Sequence, residues 1–337
     1  MDLSTRYLGL TLRNPLIASA SPLSGNIGAI RQMEDSGAGA IVLPSLFEEQ
    51  IQEEERLIEL LTSVGTDSNP EAGSYFPAAM QYNAGPQGYL DLIARARTAV
   101  NVPIIASLNG TTESGWLDYA QLIEQAGASA LELNIYRIAT NPAATGSSVE
   151  SETVALLRAV RGRIRIPIAV KLHPYFSAFG ALARELDEAG ADALVLFNRL
   201  YQPDIDIDRM RWTDDLALSD AGEIRLVLLW LSRLAGHLSH ASLAASTGVE
   251  TPAEVIKYLL CGADAVMTAS ALLRHGPAYL RTLIAGLEQW MDATGFGSVN
   301  SIKSVMRLTH PEARTEADTR SHYIRTLSGY RGPYLRH

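Results

Sequence analysis

Lys171 lies in the apolar run Ile168-Ala-Val-Lys-Leu172, and His173 and Pro174 follow at once. A short run with a β-branched core reads as a strand buried on both faces. A lysine there either escapes to solvent at the strand end or faces a ligand at the carboxyl end of a parallel barrel strand, where such folds keep their chemistry. The other strand ends, taken the same way, carry Ser19, Ala20 and Ser21; Pro44 and Ser45; Ser107 and Asn109; Asn134; Asn198; Ser246, Thr247 and Gly248; and Thr268, Ala269 and Ser270. The set is small, amidic and singly cationic. Asparagine amides donate and accept toward a planar heterocycle with alternating N–H and C=O groups, and one lysine beside such a ring stabilises negative charge on it. A lysine so placed also suits a Schiff-base aldolase. Ser246–Thr251 and Ala269–Leu273 each open a helix with small residues, which let backbone N–H groups approach a phosphate. In a barrel, the loops after strands seven and eight commonly hold that phosphate.

These residues need a scaffold that brings strand ends together. Short apolar strands at Pro15–Ala20, Gly39–Pro44, Pro103–Leu108, Ala130–Asn134, Ile168–Leu172, Ala193–Asn198, Ala241–Ala245 and Ala265–Ala269 alternate with helical stretches. Strand–helix alternation of this kind gives a parallel sheet covered by helices, and eight units favour a closed (β/α)8 TIM barrel in the α/β class. Proline is expected to close the second strand at Pro44. Thr5–Leu12 alternates around Gly9 and predicts an N-terminal β-hairpin. Glu48–Phe76 and Leu200–Glu223 read as insertions after strands two and six. A phrase recurs before alternate strands: Asp35-Ser-Gly-Ala-Gly-Ala, Gln125-Ala-Gly-Ala-Ser-Ala, Glu188-Ala-Gly-Ala-Asp-Ala and Cys261-Gly-Ala-Asp-Ala. Each predicts a helix C-terminus with a left-handed glycine. The whole of 1–337 reads as one domain, with 298–337 a C-terminal extension.

The chain has 337 residues, 47% of them apolar, and a net charge of −9. That acidity argues against a nucleic-acid partner, which needs a basic face. The single cysteine, Cys261, excludes an internal disulfide and a multi-cysteine metal or iron–sulfur site, and suits a reducing cytoplasm. It precedes strand eight, at the end of the barrel away from the chemistry. No signal peptide and no membrane span are expected, and no histidine spacing suggests a metal.

At this point the chain resembles the dihydroorotate dehydrogenases, the FMN-dependent barrels of pyrimidine synthesis, and in particular their soluble class. The resemblance runs from Tyr7-Leu-Gly-Leu and Asn14-Pro15 to about Gly295, and rests on Glu132-Leu-Asn134, Val170–Phe176, Gly248-Val-Glu-Thr251 and Leu259–Asp264. It implies that FMN lies against Ser19 and Ala20, contacts Ser107, Asn134 and Lys171, and has its phosphate on Thr247, Gly248, Ala269 and Ser270. A small-molecule substrate would face Asn83, Asn109, Asn134 and Asn198. Homodimers are frequent in the family, and an iron–sulfur or other electron-transfer partner would have to be a separate chain. Two departures fall on the substrate side. The family's catalytic base is a cysteine or serine on the loop after strand four, and Arg137 stands there; arginine stays protonated near neutral pH. Tyr136, Ser147 and Ser148 are the other candidates on that loop. At strand two, Pro44 replaces a lysine that helps hold flavin and substrate. The resemblance therefore also leaves room for an FMN barrel acting on another substrate, or for a flavin-holding homologue without catalysis.

Overall fold

The structure, a computed structural model, describes residues 1–50, 85–110, 112–200, 203–213, 216–303, 305–306 and 316–330. An antiparallel hairpin, β1 (Thr5–Tyr7) and β2 (Leu10–Leu12), precedes eight parallel strands that close into a barrel. Around the ring these are β3 (Leu16–Ala18), β4 (Ala40–Phe47), β5 (Ile104–Asn109), β6 (Ala130–Asn134), β7 (Ile168–Leu172), β8 (Ala193–Leu196), β11 (Ser242–Ala245) and β12 (Ala265–Thr268). A second hairpin, β9 (Asp204–Asp206) and β10 (Arg211–Thr213), stands in the connection after β8. Helices follow the barrel strands, so the chain is a (β/α)8 barrel. The insertion expected at Glu48–Phe76 begins with helical residues 48–50 and otherwise lies outside the described residues.

The barrel interior is graded along its axis. Small residues at the strand starts, among them Ala40, Ala130, Ala193 and Ala265, leave room for Tyr7, Leu8 and Leu12 of the hairpin, and all are buried together. The hairpin is pinned to this floor by the Leu8 N–H donating to Ser242 Oγ at 3.0 Å and the Thr5 hydroxyl donating to the Asp264 carbonyl at 2.8 Å. The segment after Gly297 joins the same end: Val299 N–H donates to the Asp2 carbonyl at 2.9 Å, and Val299 and Ile302 are fully buried. With one end plugged, the opening lies at the carboxyl ends of the strands.

The second strand corrects the sequence expectation. β4 passes through Pro44 and runs on to Phe47. Its register with β5 pairs Val42 with Ile105 but Ser45 with Ser107, three residue steps against two. The extra residue is a β-bulge, where a proline without an N–H costs the ladder nothing. A bulge also changes the phase of the strand. Ala40 and Val42 face the barrel interior; beyond the bulge it is Ser45 that points inward.

The recurring glycine phrase has a mechanical role. Gly37, Gly127, Gly190 and Gly262 all have positive φ, between 90° and 108°, as a left-handed helix cap requires. Just upstream of three of them, an acidic side chain receives the backbone of a later turn. Glu34 accepts from Asn101 and Val102 N–H, Glu124 from Arg165 and Ile166 N–H, and Asp187 from Ser239, His240 and Ala241 N–H. Two residues after the glycine, Ser129, Asp192 and Asp264 accept an N–H from the start of the preceding strand, from Ile104, Ile168 and Leu243. At the remaining repeat the same position is Gly39, because a Cβ there would lie 2.3 Å from the Asn14 carbonyl. Asn14 takes over the role, its Oδ1 accepting from Leu16 N–H at 2.9 Å.

Asp187 is 2% exposed and carries three of these bonds. Asp187→Ala is expected to cost on the order of 3 kcal/mol by leaving three N–H donors short of a charged acceptor. Denaturant unfolding checks this, and a change below about 0.5 kcal/mol would assign the clamp no energetic role.

Candidate functional site

At the centre of the open end, Lys171 Nζ lies 3.4 Å from Glu132 Oε1, with side chains 7% and 0% exposed. The pair follows from register: β6 places Asn134 beside Lys171 and Glu132 one inward position deeper. Moving both charges out of water roughly cancels their attraction, but removing one partner alone costs about 3–5 kcal/mol. Lys171 is therefore held in the barrel by a carboxylate rather than turned to solvent.

A row of hydrogen bonds runs from the mouth to the same carboxylate. Asn198 Nδ2 donates to Asn134 Oδ1 at 2.6 Å, and Asn134 Nδ2 donates to Ser45 Oγ at 3.2 Å. Ser45 Oγ and Ser107 Oγ are 2.8 Å apart, and Ser107 Oγ donates to Glu132 Oε1 at 3.3 Å. A hydroxyl has one proton to give, and Ser107 gives its own to Glu132, so Ser45 is the donor between the two serines. Every proton in the row points toward Glu132. Tyr89, on the helix Gly85–Ala99, fixes Ser107 from behind: its hydroxyl accepts from Ser107 N–H at 2.9 Å and donates to the Ser107 carbonyl at 3.0 Å. Burial raises the Tyr89 pKa, so this hydroxyl keeps its proton. Below the pair, burial and then the Glu132 charge hold the Tyr7 hydroxyl well above the usual phenol range. Glu132 Oε2 and Tyr7 Oη are both buried without a hydrogen-bond partner among the described residues.

Two adjoining clefts open above this row, with cavity volumes of about 140 and about 300 Å3, and Ala20, Lys171 and Asn198 line both. The second alone reaches the lower end of the roughly 300–1,000 Å3 of ligand pockets. The first extends over Ser19, Ser246, Thr247, Gly248, Ala269 and Ser270. Thr247 and Gly248 both have positive φ, 84° and 72°, and a Cβ at 248 would lie 2.7 Å from the Asp220 carbonyl and from Ile224. Glycine is thus required by the packing of this turn. The helix Ser270–His275 begins at Ala269, which has no side chain able to cap it. The second cleft is lined by Ser21, Pro44, Ser45, Phe47 and Asn134 among others. None of the described residues lining either cleft is a carboxylate, while Lys171 and Arg199 are cationic.

The structure brings together Ser19, Ala20, Asn134, Lys171, Asn198, Thr247, Gly248, Ala269 and Ser270 around these clefts, with Ser107 in the row beneath. Asn109 ends β5 opposite Phe47 and is buried. Asn83 lies outside the described residues. The loop after β6 goes elsewhere. Arg137 is ion-paired with Glu152 on the helix Gly146–Arg161, and Tyr136 and Arg137 line a separate groove with Trp116 and Leu156. Ser147 is exposed and Ser148 half-buried in the first turn of that helix; Ser148 N–H and hydroxyl both bond to Thr145, and Ser147 Oγ is 3.1 Å from Thr145 Oγ1.

Two residues that the sequence names, Ser45 at a strand end and Glu132 in a motif, take roles here that the sequence does not show, and a third carries no sequence signal. The inward turn of Ser45 depends on the bulge. Glu132 sits in an apolar strand whose need for a carboxylate appears only beside Lys171. Ser219, from the connection after β8, has its Oγ 3.2 Å from Gly248 N and 2.9 Å from Ser270 Oγ, tying the turns after β11 and β12 together.

His173, just beyond Lys171, is buried face to face with Phe176 at 4.3 Å, and its Nδ1 accepts from Tyr175 N–H at 3.1 Å. Burial lowers its pKa, against a weaker pull from a hydrogen bond to the Arg137 backbone. Cys261 is a free thiol in the turn before β12, and burial pushes its pKa up to about 11.

The closed parallel barrel opens its clefts at the strand carboxyl ends, the place where (β/α)8 enzymes keep their sites. Residues 2–291 match the family model described as dihydroorotate dehydrogenase, and the chain belongs to that family. A protein of Aeropyrum pernix, provisionally named dihydroorotate dehydrogenase A (fumarate), is 26% identical over 89% of this chain and 96% of its own. The catalytic subunit of dihydroorotate dehydrogenase B (NAD(+)) from Methanothermobacter thermautotrophicus is 25% identical over 89% and 97%. Its counterpart from Desulforudis audaxviator is 26% identical over 87% and 94%. Among the described residues no helix is long and apolar enough to cross a membrane.

Two predictions follow from these groups. His173 has a folded pKa below its ordinary 6.5, so as pH falls below about 6.5 the unfolded chain takes up the proton first and stability is lost. His173→Gln is expected to remove that part of the acid-side decline in melting temperature; an unchanged pH profile would assign the decline to other groups. Cys261 is expected to react with thiol reagents at pH 8 at least tenfold more slowly than free cysteine, because little thiolate is present.

Proposed function

We propose that this protein is an FMN-dependent oxidoreductase that introduces a C=C bond into a small ring amide, as in the conversion of dihydroorotate to orotate in pyrimidine biosynthesis. The observation that carries the reading is the pair of joined clefts around Lys171, free of carboxylates among the described lining residues and floored by a row of oriented amides and hydroxyls.

These residues fit FMN. Ser19 and Ala20 are small enough for a flat ring to lie against the backbone. Asn134 and Lys171 offer N–H donors to a heterocycle edge, and Ser107 supports that edge from below. Thr247, Gly248, Ala269 and Ser270 would hold the phosphate in the uncharged or cationic part of the first cleft, with Arg199 near by. FMN, when bound, supplies the two-electron acceptor. Lys171 would hold negative charge developing above it, while Glu132 keeps its ammonium oriented. Asn198, and Asn83 from outside the described residues, would orient the substrate ring. Asn109 is a further substrate contact in this reading. Tyr136, Arg137 and Ser147 are retained as loop candidates for the proton acceptor only if the loop after β6 turns inward on binding.

A Schiff-base aldolase needs the Lys171 amine free, and the ion pair with Glu132 counts against it. The same reading makes the chain a cytoplasmic homodimer that passes electrons to a separate protein. Its single cysteine cannot hold an iron–sulfur cluster.

The test is the visible spectrum of the protein, as purified and after reconstitution with FMN, followed by anaerobic addition of dihydroorotate. Flavin bands are expected, and Lys171→Met is expected to weaken FMN binding at least tenfold. Absence of bands after reconstitution would overturn the cofactor. Bands that dihydroorotate leaves oxidised would transfer the activity to another ring substrate of the same barrel.

A further inference from the structure

The loop that carries the expected proton acceptor does not face the clefts, yet oxidation of a ring C–C bond needs one. Three facts converge on β4. The bulge at Leu43 and Pro44 turns Ser45 inward, Ser45 lines the second cleft, and its hydroxyl is the outermost hydroxyl of the row that ends on Glu132. Ser45 Oγ accepts one bond from Asn134 Nδ2 and gives its proton to Ser107. Among the described residues, one lone pair is left for the cleft. A serine alone is a poor base, but a serine whose proton is already directed through a second hydroxyl to a carboxylate can accept one proton while releasing another.

We infer that Ser45, Ser107 and Glu132 form a proton relay, with Ser45 the catalytic base and Ser107 and Glu132 acting through it. The inference rests on the flavin reading for its oxidant. One ring C–H bond breaks with its electron pair leaving, together with the hydrogen, to FMN. The neighbouring C–H bond breaks with its electron pair forming the C=C bond, and its proton goes to Ser45 Oγ. The Ser45 proton passes to Ser107 Oγ and the Ser107 proton to Glu132 Oε1. The substrate is oxidised by two electrons, FMN is reduced by two, and one proton is stored on Glu132. Neutralising Glu132 removes the partner of Lys171 as negative charge appears on the acceptor side, so the ammonium is released toward that charge. Electron and proton are thereby parted on opposite sides of one lysine.

The test is stopped-flow bleaching of the bound flavin under anaerobic conditions by dihydroorotate and by 5,6-dihydrouracil, in the wild type and in Ser45→Ala, Ser107→Ala and Glu132→Gln. A general base contributes roughly 100- to 10,000-fold. Ser45→Ala is expected to slow bleaching at least 100-fold with flavin binding and melting temperature retained, and Ser45→Cys to recover at least tenfold of that with a changed pH profile. The double variant of both serines is expected to be no slower than the slower single one, since a broken relay cannot be broken twice. Bleaching in Ser45→Ala within threefold of wild type would overturn the relay, as would wild-type flavin that neither donor bleaches. If Glu132→Gln does not fold, the serine variants decide. If no flavin binds, the cofactor reading has failed separately, and deuterium uptake next to the ring carbonyl of dihydroorotate, followed by NMR, tests the relay alone. Faster uptake with wild type than with Ser45→Ala sustains it, and equal uptake overturns it.

Discussion

A carboxylate with no exposed surface, Glu132, faces a lysine inside a parallel barrel, and much of the structure answers to that pair. Neither charge is tolerable there alone. The ammonium is held because the carboxylate is, and the carboxylate is held by Ser107, which Tyr89 fixes through both of its backbone groups. The orientation of each amide and hydroxyl up to Asn198 then follows from the single acceptor at the bottom. What the mouth offers a ligand is set from beneath, by a group the ligand need not touch.

The repeating architecture was legible because its signals are local. Eight apolar runs between helical stretches, and glycine phrases before alternate strands, each depend on a few adjacent residues. The left-handed glycines at 37, 127, 190 and 262 match the expectation. Their acidic neighbours were visible as letters but not as clamps, since the N–H groups that Glu34, Glu124 and Asp187 receive come from 41 to 68 residues away.

The site was legible where strand ends alone determine position, as at Lys171, Asn134 and Asn198. It was obscure where phase or distance intervenes. Pro44 reads as a stop because proline usually is one, yet a bulge absorbs it and delivers Ser45, a residue that strict alternation would not choose. Glu132 makes sense only with a lysine 39 residues later. Tyr136 and Arg137 lie in irregular backbone, where no period tells which way a side chain turns, and the Glu152 that claims Arg137 is on the next helix.

The plug at the barrel floor sets an order of events. Its anchors join residues 234 and 259 positions apart in the chain. On a growing polypeptide the hairpin is therefore made long before its seat at Ser242 and Asp264 exists. Tyr7, Leu8 and Leu12 must wait with their apolar surfaces uncovered, and sealing the interior is a late step that ties completion of the core to synthesis of the last barrel strands.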